Sequence, residues 1–473
     1  MSKKLNLLSC EDCQKLSLKQ IQEMYTNFIN PALSTSLKSF SFGNEIVEKA
    51  KNSKIILKNK KKILDLTGGL GVLNIGHNPQ NVLDSRIKFQ KDSRMEIHKN
   101  FFSQYSAVLS HNLAQILPSS LRYSYFCNSG AEAVDGAIKL AYKYYNGKRK
   151  LILHSDISFH GKLLGSLSIS NYKESEFVFP KINFGLKYKF NNIKSLEKIV
   201  KRNKNNIFAI IIEPFSASTY RHNSLEFLIA AKKLCKKYNI KLIFDEIYTG
   251  FGKTVDMFCF TKHRVIPDIL IVSKSFGGGK SSISAYSTNK DTLVRSYGNL
   301  NDALLHTTTY NGFGEECITA IESINHLVKK KLFLRGAHIE KKLKPEFIKL
   351  VTAHSTKIKE YRGFGTMHGL IFHNDFERLK IIQKYLKFSV LKDKKFLDKL
   401  LASALLDELF RKYGILATLK FNQEVILCIE PSLIVTDKEL NYCVKSINSL
   451  LEQDFKKLIL KFTSRLFIRK FKN

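Results

Sequence analysis

Between about residues 80 and 325, short runs of β-branched and aliphatic residues alternate with stretches whose apolar residues recur at helical spacing. The four clearest runs cover residues 150–154, 207–213, 241–245 and 269–272. Strands that alternate with helices in this way predict βαβ units and a mainly parallel sheet. The expected fold class of this part of the chain is therefore α/β.

The pattern changes after about residue 330, where helical stretches carry only a few strand-like runs, Met367–Phe372 and 425–429. We read this part as a smaller α+β domain. The expected organisation is an N-terminal segment of residues 1–80 that packs with the small domain, a large domain of residues 81–328, a small domain of residues 329–450, and a basic C-terminal helix of residues 451–473.

The last of these segments carries seven Lys or Arg residues among aromatic and aliphatic ones. Two arrangements fit that pattern: a terminal helix docked on its own domain, which we expect, and an amphipathic helix at a membrane surface. No run of 18 or more apolar residues occurs in the 473-residue chain, so a transmembrane helix is not expected. The expected location is cytoplasmic, without firm membrane association.

The net charge of +36 raises the question of a nucleic-acid partner. The 77 basic residues are spread over the whole length, and no RNP, zinc-finger or P-loop motif accompanies them. Cys10 and Cys13 form a CxxC pair that no second pair follows at zinc spacing. The charge therefore predicts attraction of anionic substrates rather than nucleic-acid binding, and no metal site is expected.

A lysine and an aspartate stand at the ends of two strand-like runs. Lys274 follows the run 269–272 and precedes a glycine-rich turn, and Asp245 ends the run 241–245. In open α/β sheets, ligands bind at the carboxyl edge of the strands. A lysine and an aspartate there suit pyridoxal phosphate, which the lysine binds covalently while the aspartate pairs with the pyridinium nitrogen.

Other motifs add groups suited to such a cofactor. Ser129, Gly130 and Ala131 open a predicted helix, whose first N–H groups and dipole favour an anion. Phe159 follows the strand-like run 150–154 and could stack on a planar ring, and the loop 306–310 contains three threonine hydroxyls. Each motif alone has an ordinary alternative, namely a helix cap, a buried aromatic residue or a polar loop.

Together, these motifs resemble the class III aminotransferases in order and spacing over residues 60–450. The segments that carry the resemblance are Phe126–Ala141, Phe159–Gly161, Ile212–Pro214, Phe244–Thr254, Ser273–Gly279 and His306–Gly312. The motifs look especially similar to those of members that act on putrescine or acetylornithine. The resemblance implies the fold of the type I pyridoxal-phosphate transferases, like that of aspartate aminotransferase, with a large and a small domain.

The resemblance also implies roles for single residues. Lys274 would bind the cofactor and move the proton of the substrate, and Asp245 would keep the ring nitrogen protonated. The phosphate would be held by Ser129, Gly130 and Ala131, and by Thr309 from the partner subunit, which implies a homodimer with a shared active site. The ring would lie between Phe159 and Ile247, with Glu213 towards the substrate. His160 and Tyr248 complete the expected cofactor site.

The chain departs from the family pattern at several positions. Ala131 stands where threonine is usual, Tyr248 replaces a glutamine, and Phe313–Gly314 replaces Asn-Pro. The loop Phe215–Arg221 replaces a glycine-rich stretch that borders the substrate. Cys428 stands where the family has an arginine that pairs with a substrate carboxylate. The cofactor-binding residues are thus retained, while those expected near the substrate are altered.

The expected function is amino-group transfer between an amine or ω-amino acid (putrescine-, ornithine- or 4-aminobutyrate-like) and a 2-oxo acid or aldehyde. The missing arginine at Cys428, taken by itself, predicts that donors without a carboxylate near the reacting carbon, such as diamines, are preferred. An alternative is a protein that binds the cofactor, has lost transamination and serves as a binding or assembly partner.

Overall fold

A computed structural model of the protein describes residues 7–171, 179–373 and 395–471. The strands, numbered in chain order, are β1 Val47–Lys51, β2 Lys54–Leu57, β3 Lys62–Asp65, β4 Tyr123–Cys127, β5 Leu151–Ser155, β6 Gly185–Tyr188, β7 Ile207–Ile212, β8 Phe215–Ser216, β9 Arg221–His222, β10 Lys241–Asp245, β11 Ile269–Val272, β12 Ser284–Thr288, β13 Ile358–Phe364, β14 Met367–Phe372, β15 Ile415–Leu416, β16 Thr418–Lys420 and β17 Ile426–Ile429.

Helices connect and cover these strands. They span Asp12–Lys15, Leu18–Met24, Pro31–Lys38, Gly68–Gly71, Gln80–Lys91, Gln104–Ile116, Gly130–Tyr144, Leu164–Ser168, Ile193–Asn203, Leu225–Tyr238, Cys259–His263, Lys290–Tyr297, Gly314–Lys329, Arg335–Ala353, Phe396–Tyr413, Asp437–Leu451 and Phe455–Phe471. Short 3-10 turns lie at Phe42–Asn44, Lys274–Gly277 and Leu332–Leu334, and a π-helical turn lies at Tyr25–Ile29. No helix within the described ranges is long and apolar enough to cross a lipid bilayer.

The central sheet has seven strands in the order β4–β12–β11–β10–β7–β5–β6. All neighbouring pairs from β11 to β6 are parallel, whereas β12 is antiparallel to both of its neighbours. The predicted mainly parallel α/β sheet is therefore confirmed, and its four predicted strands are β5, β7, β10 and β11. Each of these strands is buried because helices cover both faces of the sheet.

A second, antiparallel sheet has the order β13–β14–β17–β16 and packs with helices of the C-terminal third. The strands β1 to β3 form another sheet, in which β3 pairs in parallel with β15. Leu64 and Leu66, at the end of β3, belong to the same apolar core as the helix Phe396–Tyr413. The N-terminal segment thus packs against the C-terminal third, while the exact domain limits expected from the sequence stay a prediction.

The helix Phe455–Phe471 docks on the rest of the chain. Phe455, Leu458 and Phe462 are buried in the apolar core that also contains the helix Phe396–Tyr413. The guanidinium of Arg465 lies 2.9 Å from Oδ2 of Asp407, whose Oδ1 accepts the N–H of Ser41 at 2.5 Å. These three apolar residues of the tail are therefore used for packing, as the docked-helix interpretation predicts, whereas Leu460 is exposed.

Candidate active site

Four neighbouring parallel strands end at the same edge of the central sheet, in the order β11, β10, β7 and β5. The polar side chains of Lys274, Asp245 and Glu213 lie at or just beyond the carboxyl ends of β11, β10 and β7, and His160 lies in the loop after β5. Strand pairing brings these groups together, since Asp245 is in register with Ile271 and Phe244 with Ile212. Sheet topology alone therefore assembles the lysine–carboxylate site that the sequence predicts.

A cavity of about 700 Å³ opens at this edge. Its size falls in the range of about 300–1,000 Å³ that is usual for small-molecule sites. Most of the residues expected at the cofactor lie in its wall: Gly130, Ala131, Phe159, His160, Glu213, Asp245, Ile247, Tyr248 and Lys274. Ser129 and Thr309 do not line it in this chain.

The carboxylate of Asp245 is held by two donors. Its Oδ2 lies 2.7 Å from Nδ1 of the buried His160, and its Oδ1 accepts the N–H of Ile247 at 3.0 Å. Because the carboxylate can only accept, Nδ1 carries the proton. This leaves Nε2 of His160 buried and without a partner in the part of the chain that the structure describes. The two hydrogen bonds fix the orientation of the Asp245 carboxylate towards a ligand in the cavity.

The neighbouring carboxyl group, that of Glu246, forms hydrogen bonds with backbone N–H groups instead of facing the cavity. It accepts the N–H groups of Cys259 and Phe260 at 2.7 Å each, and it is fully buried away from the cavity. Glu213 combines both functions: its side chain lines the cavity, and its carboxylate also accepts the N–H of Phe159 at 3.0 Å. Burial raises the pKa of Glu213 to about 7, so this side chain can exchange a proton near neutral pH.

Lys274 has the left-handed backbone conformation, with φ of 47°. Such a conformation in a residue other than glycine costs about 1–3 kcal/mol and is typical of functional sites. Burial lowers the pKa of Lys274 to about 8, and the positive charges of Lys420 and Lys253 add to the effect. A lowered pKa increases the fraction of neutral amine, which is the nucleophilic form.

The helix Gly130–Tyr144 begins at the cavity. The hydroxyl of Ser129 accepts the N–H of Glu132 at 3.3 Å, and the Glu132 carboxylate accepts the N–H of Ser129 at 3.1 Å. This capping box occupies the Ser129 hydroxyl and leaves the N–H groups of Gly130 and Ala131 for a ligand. A Cβ at Gly130 would lie 2.9 Å from Cδ1 of Ile247, so the absence of a side chain keeps this approach open.

Thr309 lies exposed in the loop that precedes the helix Gly314–Lys329. Thr309 is expected to contact the phosphate of a partner subunit. Its position outside this chain's own cavity is compatible with that expectation and does not test it. The role of Thr309 stays a prediction.

A buried polar cluster adjoins the cavity, and sequence reasoning did not find it. Its centre is Glu430, which follows β17 and accepts hydrogen bonds from the phenols of Tyr220 and Tyr248. The Nζ atoms of Lys253 and Lys420 lie 3.4 and 3.3 Å from its carboxylate. Although burial opposes ionisation, the two lysines and two phenols lower the pKa of Glu430 to about 2.

This cluster joins the positions at which the chain departs from the family pattern. Tyr248 stands in place of the glutamine, Tyr220 belongs to the altered loop Phe215–Arg221, and both pack in one apolar group with Cys428. Lys253 and Tyr220 lie within segments that the sequence singled out, and Glu430 directly follows the strand-like run 425–429. Their convergence was not predictable, because it requires the pairing of β16 with β17 and the fold of the loop.

The residues at the sheet edge fit pyridoxal phosphate. Free N–H groups at Gly130 and Ala131 suit its phosphate, the fixed carboxylate of Asp245 suits a protonated ring nitrogen, and Lys274 offers an amine in the same cavity. Phe159 and Ile247 both line the cavity, and their apolar side chains suit a planar ring. Together with the sheet order, these groups define a fold-type-I transferase that uses pyridoxal phosphate.

The comparisons with known proteins agree. The model of the family "Aminotransferase class-III" matches residues 41–451, and the chain belongs to this family. Members of the family are transaminases that use pyridoxal phosphate, and this protein is a pyridoxal-phosphate-dependent transaminase.

Similar solved structures establish the fold independently. An ornithine aminotransferase from Toxoplasma gondii is 20% identical with a TM-score of 0.78, over 95% of this chain and 98% of that one. A thermostable (S)-enantioselective omega-transaminase from Thermomicrobium roseum is 20% identical with a TM-score of 0.77, over 94% and 99%. An acetylornithine aminotransferase from Elizabethkingia anophelis is 23% identical with a TM-score of 0.70, over 86% and 94%.

Proposed function

We propose that this transaminase transfers an amino group between an amine or ω-amino acid, of the putrescine, ornithine or 4-aminobutyrate type, and a 2-oxo acid or aldehyde. One observation carries the proposal: Lys274 and Asp245 end neighbouring parallel strands and line the same cavity. The structures of similar transaminases include enzymes named for ornithine and acetylornithine, which supports donors of this size.

The proposed roles follow from the contacts described above. Lys274 binds the cofactor and, once released from it, accepts and returns the proton of the substrate carbon. Asp245 holds the proton on the ring nitrogen, and His160 keeps the Asp245 carboxylate in place. When bound, the cofactor supplies an electron sink for the carbanion formed at that carbon. Gly130 and Ala131 bind the phosphate through their N–H groups.

The substrate side of the cavity is formed by Glu213, by the altered loop and by the segment Thr418–Asn422. Glu213 has a pKa of about 7, so it changes its protonation state within the working range of most enzymes. We propose that it lies next to the substrate rather than next to the phosphate, because its carboxylate is tied to the backbone of Phe159 at the ring end of the cavity.

Two measurements on the purified, cofactor-loaded protein test this function. One follows the cofactor absorbance while 4-aminobutyrate, ornithine or putrescine is added, and the other measures steady-state turnover with 2-oxo acids. Lys274→Ala is expected to abolish both responses, whereas Lys290→Ala, at an exposed lysine, is expected to keep them. Bound cofactor without turnover of any amine would refute the proposal and favour the non-catalytic alternative.

We also propose that the enzyme works as a homodimer. Large apolar side chains project into solvent from two loops, including Phe102 (103% exposed), Leu300 (95% exposed) and Leu304 (78% exposed). A hydrogen bond connects the two loops, since Nζ of Lys99 in the first loop donates to the carbonyl of Thr308 in the second at 2.7 Å. Exposed apolar groups of this size indicate an interface, and the same loop carries Thr309.

Sedimentation equilibrium of the loaded enzyme is expected to give twice the monomer mass. Leu304→Asp is expected to shift the protein towards monomer and to weaken cofactor binding, whereas Leu460→Asp, at an exposed residue of the terminal helix, is expected to do neither. A monomer with full activity would contradict the shared site.

A further inference from the structure

The cavity wall contains Lys420, the last residue of β16. Its Nζ donates to the hydroxyl of Tyr248 at 2.8 Å and lies 3.3 Å from the Glu430 carboxylate. Its side chain is 16% exposed, whereas that of Lys253, the other lysine on Glu430, is 2% exposed. Of the two lysines, Lys420 is therefore the one that can meet a ligand.

The charges of the cluster do not cancel. Counted by formal charge, one carboxylate, that of Glu430 with its pKa of about 2, faces the two ammonium groups of Lys253 and Lys420, and burial lowers the pKa of Lys253. Tyr220 and Tyr248 are neutral, because burial raises the pKa of each phenol well above its ordinary value. One positive charge is thus in excess. Burial lowers the pKa of Lys274 to about 8, and the positive charges of Lys420 and Lys253 contribute to this shift.

This excess charge lies beside the position where the family arginine is missing. Cys428 on β17 is in register with Thr418 on β16, two residues before Lys420. Cys428 itself is fully buried in an apolar group and offers no charge. In this chain, the positive group is therefore on the neighbouring strand.

We propose that Lys420 binds a carboxylate of the substrate, so that the enzyme selects ω-amino acids and 2-oxo acids over diamines. The inference rests on the proposed transaminase function and specifies its substrate class. A carboxylate at Lys420 would neutralise the excess charge through a charge-assisted hydrogen bond, whereas the second ammonium of a diamine would be repelled. This reverses the preference for diamines that Cys428 alone predicts.

The geometry limits the length of such a substrate. The Nζ atoms of Lys274 and Lys420 lie 5.0 and 4.0 Å from the centre of the Tyr248 ring, so their separation cannot exceed the sum of these distances. A carboxylate that reaches Lys420 is therefore only a few bonds from the carbon that reacts at Lys274. Four-carbon ω-amino acids and short 2-oxo acids meet this condition.

Three donors with the same four-carbon chain test the proposal: 4-aminobutyrate, n-butylamine and putrescine differ only in the charge at the far end. In the wild-type enzyme we expect kcat/KM to fall in that order. Lys420→Met should lower kcat/KM for 4-aminobutyrate roughly 10- to 100-fold, the range for a lost hydrogen bond to a charged group. The value for n-butylamine should change less than about threefold, and Lys420→Arg should retain most of the preference.

The control is Lys162→Met, which removes the same charge from another lysine of the cavity wall. It is expected to leave the ratio of 4-aminobutyrate to n-butylamine unchanged. A binding measurement that needs no turnover accompanies the kinetics: calorimetry with butyrate and the loaded enzyme should show the same loss of affinity in Lys420→Met. Thermal unfolding verifies that each variant is folded.

Several outcomes would overturn the inference. These are a wild-type preference for putrescine, an unchanged donor ratio in Lys420→Met, and an equal loss in Lys162→Met. If Lys420→Met does not fold, the order of the three donors in the wild-type enzyme and the donor preference of Lys420→Arg still test the inference. Failure of the wild-type enzyme to turn over any of the three donors would instead refute the proposed function, so the two failures are distinguishable.

Discussion

Glu430→Gln tests the buried cluster most directly, because it removes one charge and keeps the shape of the side chain. Glu430 is fully buried, and Lys253, 3.4 Å away, is nearly so. At an effective dielectric constant of about 20, Coulomb's law gives roughly 5 kcal/mol for such a pair. A buried pair that loses one member costs about 3–5 kcal/mol. We expect the free energy of unfolding at pH 7 to be about 3–5 kcal/mol lower in Glu430→Gln than in the wild-type protein.

The pH dependence provides a second, independent check. The pKa of Glu430 in the folded protein, about 2, lies below its ordinary value of 4.5. The carboxylate therefore contributes stability above about pH 4.5, and this contribution disappears as the pH falls towards 2. The difference between wild type and Glu430→Gln should be constant from pH 7 to 5 and should shrink below that range.

Urea denaturation of the loaded enzyme at pH 7 and pH 3 measures both effects. The control is Glu197→Gln, which breaks a surface pair with Lys201 at 3.4 Å and should cost less than about 1 kcal/mol. A loss below about 1 kcal/mol for Glu430→Gln at pH 7, or a loss that is the same at both pH values, would refute the assignment of Glu430 as the buried charge of the cluster.

Three further predictions concern the sheet edge. Lys274→Ala should abolish transamination and covalent cofactor attachment, and cofactor still fixed to the variant after borohydride reduction, detected by mass spectrometry, would contradict the assignment. Asp245→Ala should lower kcat by about 10³-fold or more, because no carboxylate then holds the proton on the ring nitrogen; a loss below about tenfold would exclude this role. His160→Leu should lower kcat roughly 10- to 100-fold, since Asp245 loses one of its two donors. His160→Asn, whose amide can replace Nδ1, should recover part of the activity, and equal activity of the two variants would argue against a positioning role.

The central sheet was predictable where strand residues are apolar on both faces. β7 consists of Ile, Phe and Ala residues, and such a short apolar run predicts a buried strand. β12 was not found, because Ser-Ala-Tyr-Ser-Thr has no apolar run, although all five residues are buried. Its polar groups are satisfied by neighbours, as in the bond between the hydroxyls of Ser124 and Ser287 at 2.8 Å.

The same contrast holds at the site. Lys274 and Asp245 were predictable as neighbours because parallel strands end at one edge, a rule that needs no coordinates. The contact between His160 and Asp245 and the position of Lys420 depend on loop conformation and strand register, which residue types do not encode locally. At Cys428 the missing charge was visible in the sequence, whereas the position of Lys420 in the cavity wall was not.

The pairing of β3 with β15 fixes the order in which the protein can fold. Asp407 accepts the N–H of Ser41, 366 positions away, and the terminal helix binds the same carboxylate. Contacts between residues so far apart form late, because a long loop must close first. During synthesis β3 therefore emerges long before β15, and the edge of β3 that pairs with β15 stays unpaired until then. We expect this unpaired edge of β3 to be a site of wrong pairing while the chain folds.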